Sequence, residues 1–433
     1  MLDINLIRKN PETVRKSLED RGMNPKLADD FLSLDHEWRK LTAQIDGARA
    51  ELNKLSKERK VEEAKKVKEG IKNYESKIKE IEEKRNNLIT QLPNIPASDV
   101  PIGKDEKDNV IVREAGKKPK FAFEPKDHLE LGKRLDILDF EAGSKVSGAG
   151  FYYLKNEGAM LELALVRYAL DFLVKNGFTA VITPDLARDK FYLGTGYLPR
   201  GPEAQTYEIK DSDLGLIATA EVTLAGMHAD ETLNESDLPK LYAGYSHCFR
   251  QEAGGYGKYS KGLYRVHQFT KVEMFAYVKP EDSPKIHEQF LELEEELWRG
   301  LEIPYRVIEM CTADLGAQAA RKFDLEAWLP GRAHSTDSTS SPQAGSGRGD
   351  WGEVTSTSNT TDYQARRLGI KLRRRDGRTE FAHTLNGTAI ATSRAIIAIL
   401  ENFQTEKGTV KIPKALVKYT GFSEIKPMLK MQR

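Results

Sequence analysis

The stretch FRQEAGGYGKYSKGLYRVHQFTKVEMF, residues 249–275, carries the clearest information about fold and chemistry in this chain. Aromatic and β-branched residues at its two ends predict strands, and the glycines between residues 254 and 262 predict a loop that joins them. The charged residues Arg250 and Glu252 stand where the first strand would end. Taken alone, these features predict a β-hairpin with a long polar loop and an internal ion pair.

Short strand and helix patterns surround this hairpin. They lack the regular strand–helix alternation of a parallel sheet, so we predict an α+β fold around a largely antiparallel sheet. The predicted strands are residues 178–182, 216–218, 264–266, 272–278 and 305–308, and the predicted helices include residues 159–175 and 286–301. A glycine-rich phosphate loop of the Walker or dinucleotide type is missing from the sequence. If ATP binds, side chains must therefore hold it.

The N-terminal part of the chain has the heptad pattern of a coiled coil. Its apolar residues alternate in steps of four and three along two series, with Arg85 out of pattern in the second. The first series is Leu34, Trp38, Leu41, Ile45, Ala48, Leu52 and Leu55, and the second is Val67, Ile71, Tyr74, Ile78, Ile81, Leu88 and Leu92. Residues 56–66 join them, so the pattern predicts an antiparallel helical hairpin that ends at Pro93.

Basic residues are concentrated near the predicted tip of this hairpin. They are Lys54, Lys57, Arg59, Lys60, Lys65, Lys66 and Lys68. Such charges commonly solvate the outer face of a coiled coil. They can also contact the phosphates and 2′-hydroxyl groups of an RNA helix without reading its bases. Spacing alone leaves both interpretations open.

Length, charge and cysteine content limit the class of protein. A chain of 433 residues predicts two structural units, and a net charge of +1 means that a nucleic-acid partner would need a local basic surface. Cys248 and Cys311 are too few for a disulfide framework or a four-ligand zinc site, so we expect buried thiols and no zinc. The sequence has no signal peptide, transit peptide or transmembrane pattern, which predicts a cytoplasmic location and no membrane partner.

Residues 249–275 resemble motif 2 of the class II aminoacyl-tRNA synthetases, in the form FRxEAG and RxHQFxKVEMF found in the seryl-tRNA synthetase family. The resemblance implies that Arg250 grips the α-phosphate and the amino-acid carboxylate, because a planar guanidinium can meet two oxygens at once. It also implies that Glu252 faces the adenine amino group and that Phe269 stacks on adenine. Further ATP-binding residues expected in this motif are Gln251 and Val266.

A second patch, IATAEV at residues 217–222, would alone be an ordinary strand end with an exposed acid. It resembles the TxE element of the family, in which Thr219 and Glu221 would bind the serine ammonium. Glu273 matches the carboxylate that receives the serine hydroxyl, and a buried acceptor left unpaired by alanine would reject that analogue. The serine-binding residues implied by the resemblance are Thr219, Ala220, Glu221, Arg250, Glu273, Asn386 and Thr388.

A third patch, NGTAIATSR at residues 386–394, would alone be a loop followed by the start of a buried helix. It resembles motif 3 of the class II synthetases, whose arginine, here Arg394, holds the γ-phosphate. Ser393 departs from the pattern, because many relatives have glycine there. The catalytic residues implied by motifs 2 and 3 are Arg250, Glu252 and Arg394.

Three other segments extend the resemblance. EVTSTSN, residues 353–359, resembles the EISSxSN strand of the family, and the hard oxygens of Glu353 and Ser356 would suit Mg²⁺ beside the ATP phosphates. Its expected ATP-binding residues are Glu353, Val354, Thr355 and Ser356. Residues 177–184 and the preceding helix resemble motif 1, the dimer-forming element, which implies an isologous homodimer. Residues 333–348, AHSTDSTSSPQAGSGR, depart from the family, and their composition predicts a flexible surface loop.

The resemblance covers nearly the whole chain. It implies a mostly antiparallel class II sheet with flanking helices in residues 101–433, the catalytic domain, and a coiled-coil tRNA-binding arm in residues 1–100. The implied reaction is activation of L-serine with ATP, followed by transfer to the 3′ end of tRNA(Ser), and of tRNA(Sec) where that tRNA exists. A ligase that loads a carrier protein would lack the long basic hairpin. An inactive scaffold would have lost Arg250, Glu273 and Arg394.

Overall fold

The computed structural model describes residues 1–197, 206–252, 261–332 and 349–427. The chain divides into two compact units, Met1–Pro96 and Ala97–Arg433. The predicted surface loop at residues 333–348, and most of the predicted glycine-rich loop, lie outside the described residues. In the described ranges, no helix combines the length and the apolar composition that crossing a lipid bilayer requires.

The first unit is entirely helical in its regular structure. Its helices are α1 Ile4–Lys9, α2 Pro11–Asp20, α3 Lys26–Lys57 and α4 Val61–Gln91. The ion pairs Arg49–Glu75 and Asp35–Arg85 join α3 to α4 in antiparallel order, because the residue numbers rise along one helix as they fall along the other. The predicted helical hairpin is confirmed. The turn of the hairpin comprises only residues 58–60. The Lys- and Glu-rich residues on either side, which we predicted to be part of the connection, continue the two helices instead.

Arg85, the residue out of pattern, lies in the seam between the two helices. Its Nε donates to Asp35 Oδ1 at 3.0 Å, and its guanidinium lies 4.9 Å from the centroid of the Trp38 ring. Asp35 is fully buried and also accepts from Arg8 Nε at 2.8 Å. The buried charges of Arg85 and Asp35 can pair only when α3 and α4 are aligned in this one register, so the pair specifies that alignment.

The second unit is built on one large sheet. Its strands are β1 Val110–Ala115, β2 Leu138–Asp139, β3 Tyr153–Leu154, β4 Thr179–Ile182, β5 Leu186–Arg188, β6 Tyr207–Glu208, β7 Leu214–Leu216, β8 Thr232–Asn234, β9 Lys240–Phe249, β10 Gln268–Val278, β11 Tyr305–Glu309, β12 Arg321–Leu329, β13 Asp350–Thr361, β14 Lys371–Arg373, β15 Thr379–Phe381, β16 His383–Ala391, β17 Val410–Lys411 and β18 Glu424–Ile425. Eight of them form the order β1-β11-β12-β13-β16-β10-β9-β4. All neighbours in this sheet are antiparallel except β4 and β9, which confirms the predicted fold class.

Helices pack against both faces of this sheet. The helices of the second unit are α5 His128–Arg134, α6 Phe140–Ser147, α7 Asn156–Lys175, α8 Asp189–Thr195, α9 Glu221–Gly226, α10 Ser283–Gly300, α11 Tyr363–Leu368, α12 Thr392–Asn402 and α13 Lys414–Thr420. Val272, Met274 and Ala276 of β10 belong to the core that α7, α10 and α12 share with the sheet. Because side chains alternate along a strand, Lys271 and Glu273 point to the other face.

Two of the predicted strands are wrong in whole or in part. Residues 264–266 are not a strand, because a 3₁₀ turn spans Gly262–Tyr264 and β10 begins only at Gln268. The Tyr264 ring lies 5.3 Å from the Arg332 guanidinium and 5.0 Å from that of Arg394, so side-chain packing holds this segment instead of a strand ladder. Residues 217 and 218 follow β7 without continuing it. The other predicted strands and helices are present with displaced ends, and both cysteines are buried free thiols.

Candidate active site

A cleft of about 410 Å³ opens on the face of the sheet that carries Lys271 and Glu273. Side chains from β10, β12, β13, β16 and α12 line it, together with the chain segments that follow β7 and β9. Residues from all the motifs meet here: Glu221, Arg250, Glu252, Val266, Phe269, Glu273, Glu353, Val354, Thr355, Ser356, Asn386, Thr388 and Arg394. The motifs, separated along the chain, therefore form one site because β13, β16, β10 and β9 are neighbours in the sheet.

Three predicted contact residues do not line the cleft. Gln251 turns away, and its Nε2 donates to the carbonyl oxygen of Thr206 at 2.8 Å. Ala220 is fully buried at the start of α9. Thr219 is buried below the cleft surface, where its hydroxyl oxygen accepts from Lys271 Nζ at 2.7 Å.

Arg250 lies just beyond the end of β9 and is held by its backbone. Its N–H donates to the carbonyl oxygen of His267 at 3.0 Å, which closes the hairpin beyond the last strand residue. Its guanidinium lies 5.2 Å from the centroid of the Phe269 ring, and Nε donates to the Ala218 carbonyl oxygen at 3.4 Å. The flat guanidinium is thus stacked and oriented toward the cleft, where it can bind an anion with two parallel hydrogen bonds.

Glu252 has strained backbone geometry. Its φ is +50°, a conformation uncommon for residues other than glycine, and its Oε2 accepts from Arg265 Nη1 at 2.8 Å. Such strain is concentrated at functional sites, where the surrounding structure holds it. The carboxylate is thereby presented at the cleft beside Phe269.

Arg394 stands in the first turn of α12 and pairs with Glu353. Its Nη1 lies 2.9 Å from Glu353 Oε1, and its guanidinium stacks on the Tyr264 ring. Burial acts to raise the pKa of Glu353, but the positive charges of Arg394 and Lys322 outweigh burial and hold that pKa at about 2. Because the helix N-terminus adds partial positive charge, this end of the cleft suits a phosphate chain.

Glu221 is the most heavily hydrogen-bonded acid in the cleft. Its Oε1 accepts from Gln364 Nε2 at 2.7 Å and from Asn386 Nδ2 at 2.8 Å, and its Oε2 accepts from the Tyr197 hydroxyl at 3.0 Å. Burial, and then the nearby carboxylate of Glu273, raise the pKa of Glu221 to about 7. The site can therefore hold a fixed carboxylate against an ammonium group. Near neutral pH, the Glu221 carboxyl must first lose its proton to do so.

Glu273 lies at the floor of the same region and is 2% exposed. Its carboxylate forms an ion pair with Lys271, two residues earlier on β10, and its Oε2 accepts from the Thr388 hydroxyl at 3.4 Å. Lys271 is itself buried and links Glu273 to Thr219. This end of the cleft is therefore small, polar and densely charged.

Several residues of the cleft had no assigned role in the sequence. Lys271 stands inside the quoted motif, and its position between Phe269 and Glu273 on one strand face could have revealed it. Tyr197 and Gln364 bond to Glu221 from distant elements, and Lys322 contributes a cation from β12. No local pattern could have indicated these three, because their proximity arises only from folding.

The oxygens that could help to hold a metal ion are few. Glu353 and Ser356 both line the cleft, and the Ser356 side chain hydrogen-bonds to Asp324. In the ranges that the structure describes, no group of three or more histidine, cysteine, aspartate or glutamate side chains is arranged to hold a metal ion. The donor set fits an ion that keeps most of its ligands from phosphates and water, as Mg²⁺ does with nucleotides.

Both units of the chain match known families. Residues 1–96 match the family described as Seryl-tRNA synthetase N-terminal domain, and residues 206–403 match the family described as tRNA synthetase class II core domain (G, H, P, S and T). A curated Serine--tRNA ligase of Dictyoglomus turgidum is 51% identical over 439 residues, which cover 99% of this chain and 100% of that relative. The similarity therefore includes both units.

Two solved structures are similar over almost their full length. The crystal structure of seryl-tRNA synthetase from Pyrococcus horikoshii complexed with ATP has a TM-score of 0.89 and 45% identity, and covers 99% of this chain and 100% of that chain. That of cytoplasmic Serine-tRNA ligase from Naegleria fowleri in complex with AMP has a TM-score of 0.86 and 35% identity, with 99% of each chain covered.

Proposed function

The chain belongs to the seryl-tRNA synthetase family, and on that premise we propose that its cleft activates L-serine through Arg250, Glu221, Glu273 and Arg394. Its activity is that of an ATP-dependent serine–tRNA ligase. A serine carboxylate oxygen attacks the α-phosphorus of ATP, pyrophosphate leaves, and the resulting seryl-adenylate then gives up serine to the 3′ end of tRNA. The alternatives of a carrier-protein ligase and an inactive scaffold have no support in a match that covers both units.

The ATP end of the cleft supports specific roles. We assign Phe269 to stacking on adenine and Glu252 to its amino group, because the two lie together where the strand β10 enters the cleft. Arg250 lies between this end and the serine end, so its guanidinium can meet the α-phosphate and the serine carboxylate together. Arg394, at the N-terminus of α12, is placed for the γ-phosphate. The protein thus positions reactants and stabilises phosphate charge without covalent chemistry of its own.

We propose that ATP brings Mg²⁺, for which Glu353 and Ser356 are the protein ligands. When bound, the ion offsets the negative charge of the phosphates. Glu353 is ionised at neutral pH, because Arg394 and Lys322 hold its pKa at about 2. The residue can therefore serve both Arg394 and a cation without a change in protonation.

The serine end of the cleft carries the proposal. Glu221 and Glu273 are two buried carboxylates, and Lys271 is paired with Glu273. The lysine balances one of the two negative charges, so one substrate ammonium can balance the other. We assign the ammonium to Glu221 and the hydroxyl to Glu273, with Thr388 and Asn386 completing the pocket. Serine-dependent ATP–pyrophosphate exchange, measured with each amino acid in turn and followed by charging of total tRNA, tests this assignment. Exchange with alanine as efficient as with serine would contradict it.

The pKa of Glu221 predicts a pH dependence of serine binding. Below its pKa of about 7 this carboxyl is neutral and attracts an ammonium poorly. The KM for serine is therefore expected to rise as the pH falls from about 8 to about 6, by up to about 10-fold per pH unit below the pKa. Glu221→Gln should show a high KM with this dependence lost. An identical pH profile in the two proteins would show that Glu221 is not the titrating group.

We propose that the helical hairpin of the first unit binds tRNA(Ser), and tRNA(Sec) where that tRNA exists. The lysines at its tip are exposed, including Lys57, Lys60 and Lys65. An exposed basic hairpin can follow the shape of an RNA helix through phosphate contacts. The division into a catalytic domain and an RNA-binding arm near residue 100 follows from the same assignment. We place the protein in the cytoplasm, where its free thiols would stay reduced.

The motif 1 elements support the proposal of an isologous homodimer. In the part of the chain that the structure describes, β4 is the last strand of the large sheet, so the backbone groups on its outer edge can pair with a second chain. Ile182 on this strand is 80% exposed, and Met160 and Leu163 on α7 are also exposed apolar side chains. An apolar surface of this kind next to a free strand edge is typical of an interface.

Ile182→Asp is expected to weaken the dimer by about 100-fold or more in dissociation constant, because a buried charge would replace an apolar contact. Sedimentation velocity over a range of protein concentrations measures the change. Val61→Asp is the matched control, since Val61 is 62% exposed on α4, away from the motif 1 elements in sequence. A single-chain mass for the unaltered protein at micromolar concentration would contradict the homodimer.

A further inference from the structure

Lys271 is a buried cation in the proposed serine end of the cleft, and it has no assigned role in binding serine or ATP. Its side chain is 6% exposed and its Nζ makes contacts with two groups, the Thr219 hydroxyl oxygen at 2.7 Å and the Glu273 carboxylate. A buried ammonium is costly unless it is paired and hydrogen-bonded. The fold therefore maintains this charge at a specific place.

The charges that face Lys271 come from several elements. Glu273 lies on its own strand, Glu221 begins α9, and Arg250 follows β9. The thiol of Cys248 on β9 also lies within electrostatic reach of Lys271. When Glu221 is ionised, above its pKa of about 7, Glu221 and Glu273 contribute two negative charges and Lys271 one positive charge, so one substrate ammonium balances the pocket. Arg250 and the substrate carboxylate form a second balanced pair.

We propose that the Lys271 ammonium is a charge filter for the substrate side chain: it keeps Glu273 paired, so that this carboxylate accepts from a neutral hydroxyl and rejects a second ammonium. This inference rests on the proposed assignment of Glu273 to the serine hydroxyl. Lys271 and Thr388 both contact Oε2 of Glu273, which leaves Oε1 for the substrate. Without the lysine, two carboxylates would face one small pocket and would favour a substrate with two ammonium groups.

The amino acid that this filter would exclude is 2,3-diaminopropionate. It has the size of serine and carries a β-amine where serine has its hydroxyl, so shape cannot separate the two. Like charges at short range in a dry pocket repel strongly, and specificity then comes from the repulsive element. Lys271 is thus a specificity-determining residue that acts on the substrate side chain through Glu273.

The test compares activation of serine and of 2,3-diaminopropionate by pyrophosphate exchange at a series of pH values from about 6 to about 8, because both amines of the analogue are fully protonated only at the lower end, where Glu221 is also largely neutral. In Lys271→Met and Lys271→Gln, the ratio of kcat/KM for the analogue to that for serine is expected to rise by about 100-fold or more. Lys271→Arg keeps the charge and should keep the low ratio. Lys322→Met removes another cation of the cleft and should leave the ratio unchanged. Thermal unfolding confirms that each variant is folded, and the glutamine variant serves if the methionine variant is not.

The outcomes separate this inference from the proposed function. An unchanged ratio in both neutral variants, or an equal loss of activity toward both amino acids, overturns the charge filter. The pH profile adds a readout that a packing role would not move: the neutral variants should need a higher pH than the unaltered protein to reach full serine activation, because a buried carboxylate without its counter-charge takes up a proton. If Glu273→Gln leaves serine activation unchanged, the assignment of the serine pocket fails first.

Discussion

Replacing Arg250 with alanine is expected to lower serine-dependent ATP–pyrophosphate exchange by about 100-fold or more. The loss corresponds to a few kcal/mol of transition-state stabilisation, the scale that one preorganised charged donor supplies in a closed site. In the described parts of the chain Arg250 makes no ion pair with a carboxylate, whereas Arg394 pairs with Glu353. Its charge is therefore available to the α-phosphate and to the serine carboxylate.

The variant series around Arg250 can distinguish its role from structural effects. Arg250→Lys keeps the charge but loses the two-donor geometry, so an intermediate rate is expected. Arg188→Ala is a matched control, because Arg188 is exposed, pairs only weakly with Asp213 at 3.2 Å, and does not line the cleft. Its exchange rate should remain near that of the unaltered protein. A rate within about threefold of normal for Arg250→Ala would remove Arg250 from the catalytic assignment.

Removing the helical hairpin, residues 34–92, is expected to spare serine activation and to abolish charging of tRNA. Activation depends on the cleft, all of whose lining residues lie in the second unit. Charging needs the tRNA to be held while its 3′ end reaches the adenylate, so the loss of phosphate contacts should lower charging by about 1,000-fold or more. Pyrophosphate exchange and aminoacylation measured on the same preparation provide the comparison. Equal loss of both activities would count against an RNA-binding arm.

A full-length variant tests the hairpin without a deletion. Lys57, Lys60 and Lys65 lie exposed around the turn between α3 and α4, and their replacement by alanine should raise the KM for tRNA. Each phosphate contact that is lost should also flatten the dependence of binding on salt concentration. The matched control replaces the exposed lysines Lys104, Lys107 and Lys285 of the second unit. Similar effects in both triple variants would indicate general charge attraction instead of a binding surface at the tip.

Much of the molecule was determined by local sequence. The heptad seam predicted the hairpin, because an apolar stripe along a helix must be covered by another. Aromatic and β-branched residues predicted a strand at residues 272–278, which lies within β10, and the motifs of the resemblance implied one shared site. The residues Arg250, Phe269, Glu273 and Arg394 all line the walls of one cavity.

Tertiary structure decided which side chains from distant parts of the sequence are in contact. Arg85 broke the heptad pattern, yet it is buried, because the pairing of α3 with α4 brings the Asp35 carboxylate beside it, and Arg8 of α1 donates to the same carboxylate. Residues 264–266 look like a strand, yet Tyr264 lies between two guanidinium groups from β16–α12 and the end of β12. Local propensity is worth tenths of a kcal/mol per residue, so these contacts outweigh it.

The proposed serine pocket shows the same division between local sequence and tertiary structure. The sequence indicated Thr219, Glu221 and Glu273 as polar groups for one small substrate, but their protonation and charge balance depend on partners from elsewhere. Gln364 donates to Glu221 across 143 positions of the chain, and Lys271 joins Thr219 to Glu273. A motif determines which chemical groups are present. Burial and the order of strands in the sheet decide which charges face one another, because electrostatic energy depends on distance and solvation in the folded state.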